Sequence, residues 1–332
     1  MTTTAWRDDL SRARSFARRL PRNADPLAPV PPPQLPPGRV VELPGRGEVF
    51  VRERLGAAGQ PTILLLHGWT ASADLNWFRA YDAVAPLGRL LAVDHRGHGR
   101  GMRSEHRFTL EDAADDAAEL LRTLDAGPAI VVGYSMGGPI GCLLWQRHPE
   151  LVRGLVLEAT ALEWRATRRE RIALKFAGGL EFFFRMGRPR GMLDRALRHV
   201  VESSPDLSPM QGWLKAELKR GDPTALADAG RALGEYDARP FAGRVDVPTA
   251  VVLTTKDKLV KPRKQRALAA AIPGTTVWEL PGDHDACLLK PREFAGATAA
   301  AITDVIARSS EQGQPATDRF TESSTRTAGW GM

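Results

Sequence analysis

Cysteine is nearly absent. Cys142 and Cys287 alone cannot staple a small scaffold, and the chain suits a reducing compartment. No apolar run reaches the roughly 18 to 20 residues that a membrane-crossing helix needs. The N-terminus is basic but has no apolar stretch of the kind a secretory signal requires, so a cytoplasmic location is expected. No spacing of histidine and cysteine repeats as paired metal ligands would. The net charge is +7, yet the arginines form no recognised nucleic-acid motif; they gather at the N-terminus and in the middle of the chain. No nucleic-acid partner is expected. What remains is a globular composition, 43% hydrophobic and 26% charged, in a chain long enough for one large α/β domain with an insertion.

The chain is organised around residues 129–141, AIVVGYSMGGPIG. The run 129–132 is β-branched and uninterrupted, as in a strand buried on both faces of a parallel sheet. Gly133-Tyr134-Ser135-Met136-Gly137 follows directly, and residues 139–147 read as a helix. A Gly-x-Ser-x-Gly between strand and helix is a turn tight enough to strain the serine and expose its Oγ. Glycine is needed at 133 and 137 because strand and helix pass close together there. The backbone N–H of Met136 would face the space above Oγ. With these flanks the stretch resembles the nucleophile elbow of the α/β-hydrolase fold superfamily, over roughly residues 39–308. That likeness implies a mostly parallel sheet with helices on both faces and an inserted helical cap.

Read in order, residues 1–38 hold a basic amphipathic helix (Trp6, Leu10, Ala13, Ala17 and Leu20 on one stripe) and a proline-rich linker. The helix could pack on the protein, and either it or the cap described below could meet an anionic membrane surface peripherally. The first part of the core is expected over 39–160. It opens with a hairpin around Pro44-Gly45-Arg46-Gly47, followed by strands at 62–66 and 90–93 and a helix at 109–124 capped by Thr109. A helix is expected over 74–85. In the loop Asp94-His95-Arg96-Gly97-His98-Gly99-Arg100-Gly101, an Asp94–Arg96 interaction is expected; Asp94, His95 and His98 are conceivable metal ligands. Residues 161–239 lack strand patterning and read as a helical cap. Its stripe of Ile172, Phe176, Leu180, Phe183 and Phe184, with Trp164, Phe182, Met186, Met210 and Trp213, favours a substrate with an apolar portion. The core resumes over 240–308, with strands at 248–253 and 275–280, and a polar tail occupies 309–332.

The resemblance implies the remaining roles. Asp257, just beyond the strand 248–253, stands where the superfamily carries its acid. Glu158, after the strand that follows the elbow, is the alternative acid position. His284 in Pro281-Gly282-Asp283-His284-Asp285 is the base, and the order Ser135, Asp257, His284 fits this fold. Trp69 in His67-Gly68-Trp69 implies a second backbone oxyanion donor beside Met136. The implied chemistry is cofactor-free hydrolysis of a small carboxylic ester, hydrophobic or lipid-like, through an acyl-Ser135. Acyl transfer and the cleavage of thioesters, lactones, amides or C–C bonds use the same triad, as does haloperoxidase-like chemistry. A non-catalytic binding module is the alternative of another class.

Overall fold

The structure, a computed structural model, describes residues 35–164 and 202–312. The N-terminal helix, most of the linker, the stripe from Ile172 to Phe184 and the end of the tail lie outside the described residues.

Eight strands form one sheet: β1 (Gly38–Leu43), β2 (Gly47–Arg54), β3 (Thr62–Leu66), β4 (Arg89–Val93), β5 (Ala129–Tyr134), β6 (Val152–Glu158), β7 (Thr249–Thr254) and β8 (Thr276–Leu280). Their spatial order is β1-β2-β4-β3-β5-β6-β7-β8. The β1–β2 hairpin is antiparallel, β2 joins β4 antiparallel, and every pairing from β4 to β8 is parallel. From β3 the chain steps outward to β4 and then returns to place β5 on the other side. The sheet therefore changes direction between β3 and β5, and the carboxyl ends flanking such a switch point form the crevice in which open α/β sheets bind ligands.

Among the described residues the helices are α1 (Ala73–Trp77), α2 (Tyr81–Val84), α3 (Leu110–Thr123), α4 (Gly137–Arg147), α5 (Gln211–Lys219), α6 (Pro223–Glu235), α7 (Pro262–Ala271), α8 (Ala286–Leu289) and α9 (Pro291–Gln312). Strand alternation splits the core into two layers. Leu64, Leu66, Val131, Leu155 and Leu157 pack on one face with Ala117, Leu121, Ile140 and Leu144 of α3 and α4. Ile63, Leu65, Ile130, Val132 and Val156 pack on the other with Trp77, Phe294, Ile302 and Val305. Because both faces are covered, these strands read in sequence as unbroken apolar runs.

Helix α3 begins where its sequence places a cap: Thr109 Oγ1 accepts the Asp112 N–H at 3.0 Å. The continuous helix expected over 74–85 is instead α1 and α2, separated by a turn in which Ala80 N donates to the Trp77 carbonyl. Between β6 and β7 the described residues include α5, α6 and a 3-10 turn at Pro205–Met210, with an isolated bridge between Glu163 and Asp237. Among the described residues no helix is long and apolar enough to cross a membrane.

Candidate active site

Strands β3 and β5 run in register, Leu66 opposite Gly133, so their carboxyl ends deliver Gly68 and Ser135 to one place. Ser135 has φ +52°, in the left-handed region a β-carbon disfavours. Two backbone bonds hold it there: its N–H donates to the Glu158 carbonyl at 2.8 Å, and its own carbonyl accepts the Gly138 N–H at 3.0 Å. A methyl at Gly133 would run into the backbone of Gly137, and one at Gly137 into that of Leu66. Neither obstacle is a side chain that could swing away. Gly133→Ala is therefore expected to destabilise the protein by about 3 kcal/mol or more, the upper end of overpacking costs. A thermal melt within about 2 °C of wild type would contradict this.

His284 lies between β8 and α8, and Asp257 in the loop after β7. His284 Nε2 is 3.0 Å from Ser135 Oγ, and His284 Nδ1 is 2.8 Å from Asp257 Oδ2. A carboxylate only accepts, so Nδ1 carries the proton and Nε2 is left to accept from the serine hydroxyl. The structure thus brings Ser135, Asp257 and His284 into one relay. Asp257 is itself held from all sides. Its Oδ1 accepts the N–H groups of Leu259 and Val260 at 2.9 and 2.7 Å; its Oδ2 also accepts the Thr254 hydroxyl at 2.8 Å. Gln265 on α7 is fully buried and donates to Thr254 Oγ1 at 2.7 Å and to the Val260 carbonyl at 2.7 Å. The threonine oxygen, receiving that proton, must turn its own toward Asp257.

The histidine is fixed through its backbone as well. Tyr134 donates its hydroxyl to the His284 carbonyl at 2.8 Å, and Asp283 Oδ1 accepts the His284 N–H at 2.8 Å. Partial burial alone would raise the Asp283 carboxyl; the N–H and ammonium of Lys258 with the His284 N–H outweigh it and hold the group at about 2. The sequence marks neither Gln265 nor Thr254: no spacing in the chain points to either.

On the opposite wall, a Cβ built at Gly68 would stand 3.2 Å from Ser135 Cβ, so the loop after β3 packs directly on the nucleophile. His67 fastens that loop. Its Nδ1 donates to the Gly68 carbonyl at 2.8 Å, and its Nε2 accepts the His95 N–H at 3.0 Å. Both positions are filled in the neutral ring, and burial lowers the pKa in the same sense. Trp69 ties the loop to α6 through Nε1, which donates to the Leu226 carbonyl at 2.7 Å. Met136 precedes α4, at the end of the helix where backbone N–H groups lack intrahelical partners.

The expected Asp94–Arg96 interaction is not formed. Arg96 reaches across to Asp116 on α3, at 2.6 and 2.7 Å. Asp94 accepts the Ala73 N–H at 2.7 Å, and the Arg100 N–H and Nε at 2.7 and 3.0 Å. With those oxygens committed, Asp94 anchors the start of α1. Among the described residues no cluster of histidine, cysteine or acidic side chains could hold a metal ion.

Glu158 lies apart from the relay. Its carboxyl oxygens are buried without a hydrogen-bond partner. Burial pushes the group up to about 8; the Thr298 hydroxyl is close enough to oppose this but forms no hydrogen bond with the carboxyl. A glutamate ordinarily titrates near 4.5, so between these values the folded protein keeps a proton that the unfolded chain has released. The group's contribution to stability is fully present below about 4.5 and is lost as pH rises through about 8. Glu158→Gln should therefore gain in melting temperature against wild type between about pH 5 and about pH 8.5. An equal difference at both would contradict this.

A pocket of about 200 Å³ opens over the relay, lined by Ser135 and His284 together with Trp69, Leu75, Leu218 and Leu288 among others. Comparison with known proteins adds the family. The model of the alpha/beta hydrolase fold matches residues 61–291. The chain belongs to that family. This hydrolase is 30% identical over 247 residues to the pimeloyl-(acyl-carrier protein) methyl ester esterase of Chromobacterium violaceum, a match covering 72% of this chain and 93% of that enzyme. It is 28% identical over 259 residues to the 2-(acetamidomethylene)succinate hydrolase of Mesorhizobium japonicum, covering 72% and 86%. Among solved structures, the esterase of Exiguobacterium antarcticum superposes with a TM-score of 0.69 at 19% identity, over 80% of this chain and 98% of that one. The last likeness is one of fold alone. The chain is an enzyme of the alpha/beta hydrolase fold.

Proposed function

We propose that this hydrolase cleaves carboxylic esters with an apolar portion through an acyl-Ser135 intermediate. The observation that carries the reading is the unbroken relay from Ser135 Oγ to His284 Nε2 at 3.0 Å and from Nδ1 to Asp257 Oδ2 at 2.8 Å. A serine hydroxyl is a weak nucleophile at neutral pH, so His284 takes its proton as Oγ attacks the ester carbonyl. The imidazolium so formed is stabilised by Asp257, which keeps its place through the bonds described above. The tetrahedral oxyanion is met by the backbone N–H groups of Met136 and Trp69, the strongest such donors being those already in place. Collapse expels the alcohol, which takes its proton from His284 Nε2. Water then gives its proton to the same nitrogen, attacks the acyl-serine, and the acid leaves as Ser135 recovers its hydrogen.

Trp69, Leu75, Leu218 and Leu288 make the pocket wall largely apolar, and a relative is named as a methyl ester esterase. Both support an ester with a hydrophobic part. A panel of p-nitrophenyl esters of increasing acyl length tests the reading. Turnover with a defined length optimum is expected. Folded protein that turns over none of them would overturn it. A second reading rests on the relative named for 2-(acetamidomethylene)succinate. In it the same relay hydrolyses a bond other than an ester, and turnover of that compound with silence toward every ester would favour it.

A further inference from the structure

Asn76 lies on α1 and lines the same pocket as Ser135. Its Oδ1 accepts the Gly68 N–H at 3.0 Å. A backbone N–H only donates, so the carboxamide cannot be turned the other way, and the group left over is Nδ2 with its two protons. Nδ2 is buried and has no hydrogen-bond partner. Several other residues carry such unpartnered atoms among the described residues, but of them Asn76 alone lines the Ser135 pocket. A donor shut away from water without an acceptor bears its full desolvation cost, and a site that binds an acceptor there recovers it.

The place is specific. A Cβ on Gly68 would be 3.2 Å from Ser135 Cβ and 3.4 Å from Asn76 Oδ1, so Asn76 and the nucleophile flank the same glycine. Leu75, Leu218 and Leu288 in the same wall offer a substrate nothing to hydrogen-bond. We propose that Asn76 is a specificity-determining residue whose Nδ2 donates to an oxygen on the acyl part of the substrate, one or two atoms from the scissile carbonyl. The substrate class is then an α- or β-oxygenated ester rather than a simple alkanoate. This rests on the ester-hydrolase reading above.

The test uses two near-isosteric pairs of p-nitrophenyl esters, each differing by one CH₂ replaced by oxygen: butanoate against methoxyacetate, and pentanoate against 3-methoxypropanoate. Wild type is compared with Asn76→Asp, which keeps an oxygen toward Gly68 and removes the donor. Asn76→Ser, a shorter acceptor for the same N–H, guards against an effect of the new charge. Taking variant over wild type cancels the intrinsic reactivity of each ester. In at least one pair, kcat/KM should fall about tenfold more on the ether ester than on its alkyl partner, chiefly through KM. A structural role would lower both members alike. An equal loss within both pairs, or no loss, overturns the proposal. Wild type that hydrolyses none of the four overturns the ester reading and this proposal with it.

Discussion

Ester hydrolysis by His284→Ala is expected to fall by about 10⁴- to 10⁶-fold in kcat, and by Ser135→Ala to the same floor, with the double variant no worse than either. The reason is geometric. Ser135 Oγ has His284 Nε2 at 3.0 Å as its base, and the nitrogen is aimed there by bonds on the other side of the ring. Nucleophile and base therefore act as one unit, and losing either leaves only the binding pocket and the oxyanion donors. Steady-state kinetics on the most reactive ester would read this. Independent, multiplicative losses would show that the two side chains do not share one step. Both variants should melt close to wild type, because neither side chain contributes much to the core.

The second large effect concerns the acid. Asp257→Asn should lower kcat by about 10⁴-fold while leaving the fold intact. The oxygen of the new amide would turn to the Leu259 and Val260 N–H groups, now at 2.9 and 2.7 Å from Oδ1. The NH₂ would then face His284 Nδ1, force the proton onto Nε2 and deprive Ser135 of its acceptor. Glu158→Gln should leave kcat/KM within about threefold, since Glu158 has no hydrogen bond to the histidine. A collapse with Glu158→Gln and a mild effect of Asp257→Asn would move the acid's role to β6. Glu158 ends the strand beside β5 and holds Ser135 through its backbone carbonyl, so its side chain is spare.

Much of this was legible in the sequence because it depends on local rules. A strand buried on both faces writes itself as an apolar run, so β3, β4, β5 and β7 could be read directly. The elbow is a local steric problem whose solution needs glycine at 133 and 137. The relay was implied by the resemblance to the hydrolase superfamily, which places its acid and base where Asp257 and His284 stand, each just past a strand. What could not be read is what the sheet brings together from afar. Arg96 finds Asp116 on α3 rather than its neighbour Asp94, because the loop after β4 lies against that helix. Gln265 sits on α7, on a helix of mixed polarity, and only the fold turns it toward Thr254 and Asp257. Asn76 likewise meets Gly68 only once α1 folds over the end of β3. The break between α1 and α2 also escaped, since both halves keep the apolar spacing of one helix.

The most direct measurement is the intact mass of purified protein after exposure to a fluorophosphonate, followed by peptide mapping. One adduct per chain is expected, on the peptide that carries Ser135, with ester turnover lost in proportion to labelling. His284→Ala should label far more slowly, and Ser135→Ala not at all. Folded protein that takes up no adduct, or that takes it up equally well as Ser135→Ala, would contradict an enzyme built on an acyl-Ser135.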